Sequence, residues 1–172
     1  MVHGRRSADT VALLVDDPAE RGAALGRIDC LEIEAAGLTT ALPGALDLLT
    51  SLPHGSWAVV TSGVTALARA RLGAAGLPVP PVLIAADDVA RGKPAPDGYL
   101  AAAEKLGLDP AEAVVFEDSV AGARAGAAAG AYVIGVGPRG LATEARVVVP
   151  DLSGVTWQDG VLHLTAPRLL RS

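Results

Sequence analysis

The sequence has little cysteine and no long apolar run. The lone cysteine, Cys30, excludes an intrachain disulfide, so we interpret it as a small buried hydrophobic residue on a helix. No apolar run reaches the length of a membrane-spanning helix, and the N-terminus lacks the apolar core of a secretory signal. We therefore expect a cytoplasmic protein that does not enter membranes.

Positive charge is also scarce. The 14 Lys and Arg residues are outnumbered by 19 Asp and Glu residues, which gives a net charge of −5. This balance argues against nucleic acid or an anionic membrane as a partner. Lysine is rarer still, since 12 of the basic residues are Arg and only 2 are Lys. The 172 residues, 51% of them hydrophobic, suffice for one sizeable core, or for one core plus a small appendage.

Apolar runs and helical patterns alternate along most of the chain. Strand-like runs rich in β-branched residues lie at 57–61, 82–85, 113–117, 131–136 and 146–149. Because helical patterns separate the first four runs, we predict a Rossmann-like α/β fold, in which helices cover both faces of a parallel sheet. A further run at residues 161–165 predicts an edge strand.

Two helical patterns precede these strands, at residues 7–15 and 18–36. Asp17 has the position of an N-terminal cap for the second helix, and it is followed by a proline at the first helical position. Gly37 is the expected C-terminal cap, and Pro43 is the expected start of the next helix.

The strand at 113–117 ends in two adjacent carboxylates, Glu117 and Asp118. Open parallel sheets bind ligands at the carboxyl ends of their strands, and paired carboxylate oxygens suit Mg²⁺. Asp118 and Ser119 are equally suited to cap the helix that follows. This segment alone leaves metal binding and helix capping both open.

The strand at 57–61 ends in a turn suited to anions. Thr61 and Ser62 offer hydroxyl donors, and Gly63 permits close approach of the backbone. The N-terminus of the next helix favours negative charge as well. An ordinary polar turn is the simpler explanation when this segment is taken by itself.

Lys93 stands out because the chain otherwise uses arginine. It lies between Gly92 and Pro94, after the strand at 82–85. An ammonium group is a compact point charge suited to a phosphoryl oxygen, whereas guanidinium is a broad fork. The other lysine, Lys105, falls on the surface of a predicted helix and has no comparable context.

Together these segments resemble a known family. VVTSG, ADDVARGKPAPDGYL and VVFEDSVAGARAGAAAGAYVIGV are similar, in order, to the second, third and fourth motifs of the haloacid dehalogenase-like superfamily. They most resemble its glycerol-phosphate, deoxyglucose-phosphate and β-phosphoglucomutase branch. The segment at residues 3–10 is similar to the start of a cap helix in that branch. The resemblance implies a partial helical cap over residues 1–40 and a core over residues 41–172.

The resemblance implies a Mg²⁺-dependent phosphatase that acts on small sugar or polyol phosphates through an aspartyl-phosphate. It assigns phosphate binding to Thr61, Ser62, Gly63 and Lys93. Of these, Thr61 and Lys93 receive catalytic roles, since Thr61 hydrogen-bonds a phosphoryl oxygen and Lys93 neutralises its charge.

The resemblance also implies a Mg²⁺ site and a cap contact. Asp118, with help from Glu117, is expected to hold the metal. His3 and Arg5 lie where the family's cap meets the substrate, although an exposed terminal segment explains them equally well.

The main departure from the family is the nucleophile motif. The sequence contains no Asp-x-Asp-x-Thr, and its adjacent pairs Asp16-Asp17 and Asp87-Asp88 lack that spacing. We therefore expect a core without its central first strand, a truncated chain inactive alone, and self-association through exposed strand edges. A phosphoglucomutase-type mutase and a non-catalytic phosphate-binding or split-complex subunit remain as alternatives.

Overall fold

The computed structural model describes residues 4–165. Two helices begin this part of the chain, α1 at Ser7–Leu14 and α2 at Pro18–Glu34. The predicted N-terminal cap of α2 is present, because the Asp17 side chain accepts a hydrogen bond from the Ala19 N–H at 2.9 Å.

The end of α2 differs from the sequence prediction. The helix continues into a 3-10 helix, Ala35–Leu38, and Ala35 is its C-terminal cap. Gly37 lies inside this tighter turn without a positive φ, so its backbone freedom is not used for a left-handed cap.

The remaining elements alternate as the apolar runs predict. They are α3 (Ala45–Ser51), β1 (Ala58–Val60), α4 (Thr65–Ala74), β2 (Val82–Ile84), α5 (Asp97–Leu106), β3 (Val114–Glu117), α6 (Val120–Ala128), β4 (Tyr132–Val136), α7 (Gly137–Gly140), β5 (Val147–Val149), β6 (Val155–Gln158) and β7 (Val161–Leu164). Short 3-10 helices occupy Ala86–Asp88 and Pro110–Glu112. Helix α3 starts after Gly44, whose φ of 77° sets the turn, and not at Pro43.

Parallel pairing confirms the predicted α/β class. Strands β1 and β2 form one sheet, and β3, β4 and β5 form a second sheet in that order. The run at residues 161–165 does form a strand, β7. It pairs antiparallel with β6 in a separate two-stranded sheet, because the turn of Asp159 and Gly160, both with positive φ, closes a hairpin.

The two parallel sheets do not join within residues 4–165, where β1 pairs only with β2 and β3 pairs only with β4 among the other strands. A cavity of about 1020 Å³ is lined by residues of both sheets, including Val60 from β1 and Phe116 from β3. Each sheet has its own apolar cluster, one around Ile84 and one around Ile134.

Helix α2 packs differently from the core helices, because none of its residues is buried. The prediction that Cys30 is a buried hydrophobic residue is wrong, since its side chain is exposed on this helix. Within the described part of the chain, none of the helices has both the length and the apolar character that a membrane crossing requires.

Candidate functional site

The carboxyl ends of β1 and β3 bring most of the sequence-predicted residues to one cavity. Its lining includes Arg5, Thr61, Ser62, Gly63, Lys93, Glu117 and Asp118. Parallel strands end at the same edge of their sheets, so loops far apart in sequence meet there. His3 lies outside the described residues.

Hydrogen bonds fix the turn after β1. The Thr61 N–H donates to the Ile84 carbonyl at 2.9 Å, and the Gly63 N–H donates to Thr61 Oγ1 at 3.1 Å. Ser62 Oγ donates to the Gly4 carbonyl at 2.8 Å, which ties the turn to the N-terminal segment. The turn therefore has a defined shape around its three polar residues.

Lys93 is held inside the site. Its side chain is 11% exposed, and Nζ donates to the Val60 carbonyl at 3.2 Å and to Glu117 Oε1. The ammonium also lies 5.1 Å from the centre of the Tyr99 ring. These contacts place the cation at the end of β1, beside the turn of residues 61–63.

Glu117 is the counter-ion of Lys93. Its Oε1 also accepts from the Tyr99 hydroxyl at 2.7 Å, and its Oε2 accepts from the Ser119 N–H at 3.3 Å and from Ser119 Oγ at 3.0 Å. Burial by itself raises the pKa of this carboxyl, but the Lys93 charge and these hydrogen bonds outweigh burial. The pKa of Glu117 is lowered, so the buried carboxyl is ionised.

Tyr99 is a site residue that the sequence prediction did not name. Burial, followed by the negative charge of Glu117, raises the pKa of its phenol, which therefore stays a hydrogen-bond donor. It lies six residues after Lys93, near the start of α5. Its rarity was an available signal, since the chain has 2 Tyr in all.

The small residues of α6 make room for this network. A Cβ atom at Gly122 would overlap the Glu117 carboxylate. The Gly122 N–H donates to Ser119 Oγ at 3.0 Å, which caps the helix. The close approach of α6 to Glu117 therefore requires glycine at this position.

Asp118 has a different environment from Glu117. Its side chain is 46% exposed and lines the cavity, and its Oδ2 lies 3.9 Å from Arg139 Nε. The helix cap is Ser119, so the capping alternative does not account for Asp118.

The residues present fit a Mg²⁺ ion that takes a carboxylate ligand from the chain and its other ligands from water and a bound phosphate. Both Glu117 oxygens already accept hydrogen bonds, and residues 4–165 contain no cluster of three His, Cys, Asp or Glu side chains suited to a metal. Mg²⁺ commonly binds through one or two carboxylates together with water and substrate phosphate. Asp118 supplies such a carboxylate at the cavity.

Arg6 also connects the N-terminal segment to the site, and the sequence prediction missed it. It donates to Asp9 at 2.9 and 2.8 Å, and to the carbonyls of Val89 and Ala90 at 3.1 and 3.2 Å. A Cβ atom at Gly92 would lie only 2.5 Å from Arg6 Nε. The arginine thus packs directly on the loop that presents Lys93, whereas its neighbour Arg5 is exposed.

Known proteins share both the sequence pattern and the fold. A sequence profile of haloacid dehalogenase-like hydrolases matches residues 8–130. Hexitol phosphatase A of Escherichia coli K12 is 43% identical over 139 residues, which cover 78% of this chain and 64% of that protein. Glycerol-1-phosphate phosphohydrolase 2 of Saccharomyces cerevisiae is 35% identical over 145 residues, which cover 78% of this chain and 58% of the yeast protein.

The crystal structure of a hydrolase from Pseudomonas syringae is similar with a TM-score of 0.77 and 26% identity, over 88% of this chain and 76% of that one. The matched region spans less than two thirds of the length of the two curated relatives.

Proposed function

Because the chain belongs to the haloacid dehalogenase-like hydrolase family, we propose that it is a Mg²⁺-dependent phosphatase for small sugar or polyol phosphates. The observation that carries this proposal is the placement of Lys93, which Glu117 and the Val60 carbonyl hold beside the turn of residues 61–63. Relatives named as hexitol and glycerol phosphatases support the substrate class.

In this proposal, the turn and Lys93 bind the phosphoryl group. Thr61 donates a hydrogen bond from its hydroxyl, Ser62 contributes its backbone N–H because its hydroxyl is donated to the Gly4 carbonyl, and Gly63 allows the backbone to approach the anion. The Lys93 ammonium offsets the negative charge that develops on the phosphoryl oxygens. Glu117 and Tyr99 act through Lys93, since they fix its position without contacting the substrate.

Asp118 is the proposed Mg²⁺ ligand. Help from Glu117 stays a prediction, because both of its carboxylate oxygens accept hydrogen bonds in the structure. When bound, Mg²⁺ neutralises phosphoryl charge and orients the group for attack. A carboxylate at this half-exposed position suits an ion that also takes ligands from water and from the substrate.

The nucleophile is not assigned to any residue of the chain. The family resemblance implies that an aspartate carboxylate attacks phosphorus, that the bond from phosphorus to the sugar oxygen breaks, and that water hydrolyses the aspartyl-phosphate. The 172 residues hold no Asp-x-Asp-x-Thr triplet. We expect the chain alone to hydrolyse p-nitrophenyl phosphate no faster than buffer does, and the chain preceded by a strand with this triplet to be active with Mg²⁺.

The decisive test measures binding of inorganic phosphate by equilibrium dialysis, with and without Mg²⁺. We expect Mg²⁺ to strengthen phosphate binding to the parent, and Asp118→Asn to lose this effect because it removes the anionic ligand. Lys93→Ala should weaken phosphate binding with or without Mg²⁺, whereas Lys105→Ala, on the exposed face of α5, should change neither. Unchanged Mg²⁺ dependence in Asp118→Asn would contradict the metal assignment.

Turnover assays, run beside the binding measurements, separate the alternative functions. A non-catalytic binder would hold phosphate without turnover even when the nucleophile strand is supplied, and a mutase would transfer the phosphoryl group to a second sugar phosphate. Self-association through the facing edges of β1 and β3 remains a proposal, which sedimentation velocity tests. The cytoplasmic location also remains a prediction.

A further inference from the structure

A second polar cluster lies on the cavity wall, apart from the phosphate and metal residues. It consists of Ser7 from α1, Glu32 from α2 and Arg71 from α4, and we call it the three-helix cluster. Ser7 Oγ donates to Glu32 Oε2 at 3.0 Å, and Arg71 Nη2 donates to Glu32 Oε1 at 3.3 Å. All three side chains line the same cavity as Lys93 and Thr61.

Stability alone does not explain the three-helix cluster. The side chains of Arg71 and Glu32 are 42% and 33% exposed, and ion pairs at such positions contribute little to folding. The Arg71 guanidinium has five N–H donors and gives one hydrogen bond to Glu32, while Glu32 retains lone pairs on both oxygens. The cluster therefore keeps donors and acceptors for a molecule in the cavity.

The charges of the three-helix cluster favour one kind of ligand. Glu32 offsets the charge of Arg71, so the cluster suits a neutral polar group better than a second phosphate. A carboxylate accepts from a hydroxyl, and a guanidinium donates to one, so the pair complements neighbouring hydroxyl groups on a carbon chain.

We propose that Glu32 and Arg71 are specificity-determining residues, which bind the hydroxyl groups of a polyol phosphate whose phosphoryl group is held at Lys93. This proposal rests on the proposed function, since it takes the phosphate site as the anchor of the ligand. It adds a reason for phosphorylated polyols to bind better than phosphate esters without hydroxyl groups.

The test compares three ligands by equilibrium dialysis, which reports binding whatever the oligomeric state. The ligands are inorganic phosphate, phenyl phosphate and sorbitol 6-phosphate, each with Mg²⁺. We expect Glu32→Ala and Arg71→Ala to weaken sorbitol 6-phosphate binding roughly tenfold, the scale of one lost hydrogen bond to a charged group. Binding of the other two ligands should change less than about twofold, because neither carries hydroxyl groups on a carbon chain for the cluster to bind.

A matched control is the ion pair of Arg124 and Glu144, whose charged atoms are 3.0 Å apart. Neither residue lines the cavity. Glu144→Ala should leave the affinity for all three ligands unchanged. Thermal melts of every variant check folding, and Glu32→Gln serves as the conservative variant if Glu32→Ala unfolds. The neutral amide of Glu32→Gln should also lower the affinity for sorbitol 6-phosphate without lowering the affinity for the other two ligands.

Two results overturn the proposal in distinguishable ways. If Glu32→Ala and Arg71→Ala bind sorbitol 6-phosphate as the parent does, or lose the same factor of affinity for all three ligands, the specificity role is wrong while the phosphate site stands. If the parent binds no inorganic phosphate and Lys93→Ala changes nothing, the proposed function fails and the specificity role fails with it.

Discussion

Two regions of the molecule differ in burial and in polar contacts. One is the network around Lys93 and Glu117 at the carboxyl ends of the strands, and the other is the helical N-terminal region. In the network, Lys93 and Glu117 are 11% and 8% exposed, and each makes several polar contacts. In the helical region of residues 7–38, α2 buries no residue, and Leu14 and Leu38 are 73% and 85% exposed. The predicted site residues are therefore fixed by dense polar contacts, whereas the helical region is held more loosely, with Val11 and Ala36 as its buried residues.

This difference suggests a division of labour. A buried charge pair must be fully satisfied, because an uncompensated charge at low exposure is costly. Helices with few buried contacts open and shift at low cost in free energy. Under the proposed function, the Lys93 site would hold the phosphoryl group, which every substrate shares, and the helical region would adjust to the rest of the ligand.

The largest expected effect comes from breaking the buried pair. Lys93→Ala leaves the Glu117 carboxylate buried without its cation, and we expect the free energy of unfolding to fall by about 3–5 kcal/mol. Chemical denaturation measures this loss. Lys93→Met combined with Glu117→Gln should recover much of it, because no uncompensated charge remains. If Lys93→Ala is as stable as Lys105→Ala, the pair does not hold the site together.

A Gly-to-Ala substitution should change the free energy of unfolding in opposite directions in the two regions. Gly122→Ala places a methyl group against the Glu117 carboxylate and should lower the free energy of unfolding by about 1–3 kcal/mol. Gly26→Ala, inside α2 with open space around it, should raise it by up to about 1 kcal/mol through helix propensity. Urea denaturation of both variants checks the comparison. Equal effects would show that both regions pack alike.

Acid should weaken the network. Burial raises the Glu117 pKa, but Lys93 and the hydrogen bonds lower it more, so the folded pKa lies below the ordinary value of 4.5. Its stabilisation is complete above pH 4.5 and is lost as the pH falls through the folded pKa.

For one proton, the loss is at most about 1.4 kcal/mol per pH unit. Denaturation series in this range should give a shallower pH dependence for Glu117→Gln than for the parent. An identical slope in both proteins would show that Glu117 does not titrate abnormally.

The sequence was sufficient where the signal is local. The Asp17 cap and the start of each parallel strand follow from capping chemistry and apolar patterning within a few residues. Lys93 was identifiable because a rare residue type lies between Gly92 and Pro94 in a chain that prefers arginine. Such features need no knowledge of distant contacts.

The sequence was insufficient where tertiary contacts decide the outcome. Arg6 bonds to the carbonyl of Val89 across 83 residues, and Tyr99 reaches Glu117 across 18. Cys30 is exposed because the contacts of α2 with α1 and α4 within residues 4–165 leave its side chain uncovered, which the helical pattern does not reveal. Periodicity predicts an element, but it does not identify the surface that covers it.

The smallest expected effect concerns the exposed leucines of the helical region. Leu14→Ala should change the free energy of unfolding by less than about 0.5 kcal/mol, because a side chain that is 73% exposed gains little from folding. Leu67→Ala is the matched control, since Leu67 is 1% exposed and its truncation should cost about 2–5 kcal/mol. Thermal and urea denaturation at two protein concentrations measure both. A loss in Leu14→Ala that grows with protein concentration would mean that another copy of the chain covers this helix, and the helical region would not be loosely held.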